Sequence, residues 1–229
     1  MPTVKRIVCL ANSFKTGGYC IAGKELLPGG YGRWIRPISA RPTAEVLPDE
    51  CRYANGDLPR LLDVIDIPLL RPDPHMHQTE NYVIDAGQRW VKTDELPMRA
   101  LRQMEDHPQT LWNNRDKTRA GVFNCLSREE AIALRDSLTL IRPDDFVVKV
   151  GSQTRDGKLE RSYHTAFSYR EVSYVLKLTD PQAIAPFRNS RESDYPFRDV
   201  YICVSLTEPF KDDRCHKLVA AVFSAQLLG

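Results

Sequence analysis

No apolar run in this sequence approaches the ~20 residues needed to span a bilayer, so a membrane-crossing helix is excluded. The opening MPTVKRIVCLANS lacks the apolar core and small-residue cleavage site of a secretory leader, and a cytoplasmic protein is expected. No C-x-x-C pair occurs among Cys9, Cys20, Cys51, Cys125, Cys203 and Cys215, which argues against a zinc ribbon or a thioredoxin-type centre. Cys9 and Cys203 fall inside apolar strand-like runs, where a thiol behaves as a small hydrophobe. The Walker A pattern G-x-x-x-x-G-K-[ST] is missing. Excess charge is missing too. With 32 Lys and Arg against 30 Asp and Glu, the net charge of +2 excludes a protein that coats nucleic acid by bulk charge.

What is present is a local imbalance. The first 41 residues carry Lys5, Arg6, Lys15, Lys24, Arg33, Arg36 and Arg41 against one acid, Glu25. Residues 43–75 reverse the sign, with Glu45, Asp49, Glu50, Asp57, Asp63, Asp66 and Asp73 against Arg52, Arg60 and Arg71. A polarised surface is expected.

Strand patterns dominate the chain. Towards the C-terminus, Phe146–Val150 is followed by the turn Arg155-Asp156-Gly157-Lys158, where Asp-Gly suits a type I′ hairpin. A second strand runs to about Phe167. Val172, Tyr174, Leu176 and Leu178 alternate with polar residues and form a third. Asp180 suits a helix N-cap and Pro181 the first helical position, which predicts a short helix there. Val200–Leu206 and Lys217–Phe223 supply two more strands. Five strands with a helix after the third is the order of an OB-fold barrel. The first ninety residues repeat that order, with strands at 5–11, 19–24, 33–38, 61–70 and 82–85. Between the halves, Leu96, Met98, Leu101 and Met104 have helical spacing, and Ser127-Arg128-Glu129-Glu130 reads as a capping box that opens a helix over Ala131–Leu138. The expected fold is mainly β: an OB-like barrel over 1–90, a helical insert over 91–139 and a second OB-like barrel over 140–229. The tripeptide Ile-Arg-Pro recurs at 35–37 and 141–143, which is too short to establish a duplication.

The blocks ANSFKTGGYCIAGKEL at 11–26, RWIRPIS at 33–39, LLDVIDIPL at 61–69, QTEN at 78–81, VSLTEPF at 204–210 and CHKLVAAVF at 215–223 resemble the dual OB-fold (DuOB) family of bacterial proteins. The resemblance extends over nearly the whole chain. It implies two OB-like barrels and the binding of nucleic acid or a nucleotide, and it transfers no catalytic residue.

On a strand, Trp34 and Arg36 share a face, and an aromatic plane beside a guanidinium can stack a base and pair its phosphate. The same pair is also what a packed core tryptophan with an overlying arginine looks like. The loop Asn12–Gly18 offers glycines and Lys15 to a phosphate, or is a polar hairpin whose glycines meet turn geometry. The expected binding residues are therefore Asn12, Lys15, Lys24, Arg33, Trp34, Arg36 and Arg41. They would serve single-stranded nucleic acid or a nucleotide, with no cofactor and no metal. His75 and His77 share a face if extended, yet they lack a third metal ligand. Asp63 and Asp66 fall on opposite faces of a strand, which separates them as a carboxylate pair. Lacking a complete catalytic constellation, the chain reads as a binding protein ahead of a metal-dependent enzyme acting on nucleic acid or nucleotides. A third reading is a protein-interaction adaptor that docks a partner through Leu96–Trp112.

Overall fold

A computed structural model describes residues 2–15, 17–155 and 157–228, and the side chains of Lys15, Arg155 and Leu228 are outside that description. Asp156, part of the expected Asp-Gly turn, lies outside the described residues. The chain folds as two compact units, residues 1–105 with 134–138, and residues 106–133 with 139–229. The stretch 91–139 is thus divided between the two units. Its helical content is one 3-10 segment, Met98–Gln103, and a short α-helix, Arg128–Ile132. The capping box is present, with Ser127 Oγ accepting from Glu130 N–H and Glu130 reaching back to Ser127 N–H.

The first unit contains β1 (Thr3–Lys15), β2 (Gly18–Leu27), β3 (Gly30–Ile38), β4 (Asp63–Pro72), β5 (Asn81–Ile84) and β6 (Val91–Glu95). β1 pairs β2 through one stretch and β4 through another, β3 runs parallel to β5, and β5 pairs β4. The order β1-β2-β3-β5-β4 closes on itself, as an OB barrel does. A register shift between Cys9 and Ala11 lets β1 bend across both partners. Gly23 sits opposite that bend. A Cβ there would lie 1.9 Å from the Val8 carbonyl oxygen, so only glycine fits. A short helix, Pro48–Cys51, occupies the OB position between the third and fourth strands.

The second unit contains β7 (Cys125–Ser127), β8 (Leu138–Ile141, which begins at the last residue of the first), β9 (Asp145–Arg155), β10 (Lys158–Tyr169), β11 (Val172–Leu178), β12 (Ser193–Phe197), β13 (Tyr201–Pro209) and β14 (Arg214–Phe223). Its central order, β9-β10-β11-β14-β13, repeats the first barrel, again with a parallel third-to-fifth pairing. β12 flanks β9, and β8 flanks β13. The expected helix follows β11. Asp180 accepts from Gln182 and Ala183 N–H at its start and from Val222 N–H on β14, which ties the helix to the barrel. The core is filled by Phe146, Val148, Phe167, Tyr174, Leu176, Val204 and Val219. Each such side chain contributes roughly 1.5–3 kcal/mol by leaving water.

One segment of the second unit has no counterpart in the expected order. Val122 exchanges both backbone hydrogen bonds with Val175 of β11, at 3.1 and 3.2 Å, and β7 then pairs the start of β14. Residues 122–127 thereby fill the opening where β11 and β14 diverge. Gly121 presses this segment flat, since a Cβ there would be 2.5 Å from the Val175 carbonyl oxygen. Among the described residues no helix is long and apolar enough to cross a membrane.

Candidate functional site

Most of the basic residues read from the N-terminal sequence are engaged inside their own unit. Arg36, 8 % exposed, donates to Ser137 Oγ at 2.8 Å and lies 3.2 Å from Glu80 Oε1. Ser137 donates in turn to the same carboxylate. Lys24 stands opposite Trp34 across β2 and β3, holds its ammonium 5.6 Å from the centre of that ring and donates to the Met104 carbonyl at 2.7 Å. Arg41 binds Glu50 at 2.8 Å and the Glu45 carbonyl at 2.9 Å. Asn12 braces the Pro59 carbonyl at 2.7 Å. Arg33 is exposed, donates to the Tyr82 hydroxyl and lies over that ring. The side chain of Lys15 is outside the described residues.

Lys24, Arg36 and Arg41 of the expected basic track thus already hold acceptors of the chain itself. The one-acid count within residues 1–41 omitted Glu45, Glu50 and Glu80, which the fold brings alongside. The Trp34–Arg36 face carries the chain's own Met104 carbonyl and Ser137 hydroxyl in place of an open platform.

The second barrel behaves differently. A cavity of about 560 Å³ opens on its outer face. His164 on β10 and Lys177 on β11 are cross-strand partners lining it. Neither side chain makes a hydrogen bond or ion pair to another described residue. Burial first, then the neighbouring Lys177 charge, holds the His164 imidazole below its ordinary pKa. The β13–β14 turn and the start of β14 add Phe210, 58 % exposed, and His216 to the lining, their rings edge to face at 6.3 Å. Asp212 takes the His216 Nε2 at 3.2 Å through both oxygens. Strands two and three with the first and fourth loops are where OB barrels take ligands, and the cavity occupies that region.

Lys217 forms the back wall. Its side chain is 1 % exposed, and its ammonium points away from the opening, to the Asn113 carbonyl at 2.6 Å and Asn114 Oδ1 at 2.9 Å above the Tyr174 ring. Burial pulls its pKa down to about 7. Below pH ~7 both folded and unfolded chains hold the proton and the full desolvation cost stands. Above that, the folded state binds fewer protons than the unfolded one, so stability from this group rises towards pH ~10. The stability difference between wild type and Lys217→Met, measured by urea unfolding at pH 6.5 and 9, is expected to shift in favour of wild type at the higher pH. An unchanged difference would place the ammonium in water.

The remaining candidates do not assemble. Met76 adopts φ +52°, which turns the chain so that His77 is buried while His75 is exposed, and the two histidines do not share a face. Asp63 accepts from Tyr53 and pairs with Lys92, whereas Asp66 pairs with Arg6. Among the described residues no group of three or more His, Cys, Asp or Glu could hold a metal ion. No two cysteines are joined by a disulfide. Burial pushes Cys51 up to about 12 and Cys215 up to about 11, so neither is a thiolate at neutral pH. Of the residues with helical spacing in the expected docking segment, Leu101 and Met104 are buried and Leu96 and Met98 half-buried.

Neither the curated proteins nor the solved structures include a match to this chain. A family model, the dual OB-containing domain, matches residues 5–222, and the chain belongs to that family. The OB fold is a binding scaffold; which ligand it takes is a property of the site.

Proposed function

Starting from a chain of the dual OB-containing domain family, we propose that it binds single-stranded nucleic acid or a nucleotide through the outer face of the second barrel. The observation that carries this reading is the pairing of His164 and Lys177, two side chains without partners among the described residues, beside the exposed ring of Phe210. Phosphates need donors not already neutralised by carboxylates, and bases need an open aromatic face. The N-terminal cations fit less well. Lys5, Arg6, Arg36 and Arg41 each sit against a carboxylate of their own unit.

Fluorescence anisotropy with labelled single-stranded DNA, single-stranded RNA and duplex DNA, in EDTA at two salt concentrations, tests the reading. Affinity for a single strand is expected to fall with salt, by a log–log slope of about −0.7 for each phosphate contacted. Lys177→Ala is expected to reduce that slope by about one contact. No binding at low salt to any of these probes or to a nucleotide would overturn the reading.

A further inference from the structure

Resting on that reading, we infer that the second-barrel cavity takes one free mononucleotide, its phosphate held by Lys177 and His164 and its base against Phe210, in place of a strand running through. The first argument is size. A cavity of about 560 Å³ lies within the range of roughly 300–1,000 Å³ that encloses a single small ligand. An OB groove that tracks a strand covers about 4–16 nucleotides and stays open at its ends.

The second argument is the walls. The segment ending at Asn124 closes one side of the cavity. It is clamped to β11 by the two Val122–Val175 hydrogen bonds and to β14 by Lys217 N–H donating to the Asn124 carbonyl at 2.9 Å. Within it, Asn124 Oδ1 accepts from Thr118 N–H at 2.8 Å and its amide donates to Thr118 Oγ1 at 2.7 Å, which fixes the loop on itself. The β13–β14 turn forms another part of the wall, held by Phe210 N–H to the Arg214 carbonyl and Asp213 N–H to the Phe210 carbonyl, both at 2.9 Å. A strand crossing β10 and β11 would meet these two anchored loops.

Charge is the third argument. Among the described lining residues the one acid, Asp212, is turned onto His216, while the Lys177 and His164 side chains keep their donors for a ligand. Two such groups suit one phosphate carrying up to two negative charges. Phe210, with the His216 edge behind it, offers a flat apolar surface to a base of any kind.

The experiment is displacement of a labelled single-stranded oligonucleotide and of a fluorescent mononucleotide from the full chain. The competitors are the 5′-monophosphates of adenosine, guanosine, cytidine and uridine, the matching nucleosides, and inorganic phosphate. At least one monophosphate is expected to compete, with its nucleoside and inorganic phosphate each about tenfold weaker or worse. Lys177→Ala and Phe210→Ala, on different elements lining the cavity, are each expected to weaken it by about tenfold. If the oligonucleotide binds and no monophosphate displaces it, the single-unit pocket is overturned while the nucleic-acid reading stands. If neither probe binds, the reading beneath it fails as well.

Discussion

Replacing Arg36 by alanine is expected to lower the thermal midpoint of the first unit by roughly 10–20 °C and to leave ligand affinity unchanged. The guanidinium and the Glu80 carboxylate are both buried, 3.2 Å apart, with Ser137 bonded to each. Removing one partner of such a pair strands the other charge in a poorly solvated site, at a cost of about 3–5 kcal/mol. The arginine also anchors residues 134–138, so its loss releases a segment as well as a charge. Calorimetry of Arg36→Ala, Glu80→Leu and the double substitution Arg36→Met with Glu80→Leu separates the terms. The double variant is expected to recover much of the loss, because two apolar groups of similar volume carry no unpaired charge. A normal midpoint with lost oligonucleotide binding would instead make Arg36 a phosphate ligand, as the sequence alone suggests.

Lys177→Glu is expected to weaken binding of an anionic ligand by about 100-fold or more while the fold is kept. Its side chain is exposed and makes no hydrogen bond or ion pair among the described residues, so the reversal removes none of these. It places a carboxylate where the ligand phosphate sits, and a like-charge contact costs several kcal/mol. His164 adds a pH signature. Its ring is flanked by Lys177 on β11 and Lys149 on β9, the latter paired with Asp194, while Asp212, His216 and Lys217 line the same cavity. Burial and Lys177 favour its neutral form, and a bound phosphate favours the protonated one. Binding therefore draws a proton onto the ring, and affinity is expected to rise as pH falls from 8 to 5.5. Titrating His164→Gln in parallel cancels the phosphate's own ionisation, and the two pH profiles should diverge on the acid side. Identical profiles would remove His164 from the site.

The strands were legible in the sequence because their alternation of apolar and polar residues is a local property. The helix after β11 was legible for the same reason, Asp180 and Pro181 being adjacent in the chain and bonded as an N-cap demands. The cavity was harder to see. His164 and Lys177 face each other because Arg170 and Glu171 turn the chain between β10 and β11, both with positive φ. That is the geometry of a type I′ turn, yet Arg-Glu carries none of the Asn-Gly or Asp-Gly signature that announces one. Without the turn the register was undefined, and a one-residue slip would have sent the two side chains to opposite faces.

By itself, then, the sequence determined the five central strands of each barrel and the excess of cations near the N-terminus, and left out the flanking strands Val91–Glu95, Cys125–Ser127, Leu138–Ile141 and Ser193–Phe197. Only the tertiary structure decided which cations are available to a ligand. Neutralisation acts through space over a few ångströms, and the carboxylates that meet Arg36 and Arg41 come from residues 80 and 50. A count along the chain treats every lysine and arginine alike. The fold pairs Arg36 and Arg41 of the first barrel internally and leaves Lys177 beside His164, among the described residues, without a counter-ion at the mouth of a cavity in the second.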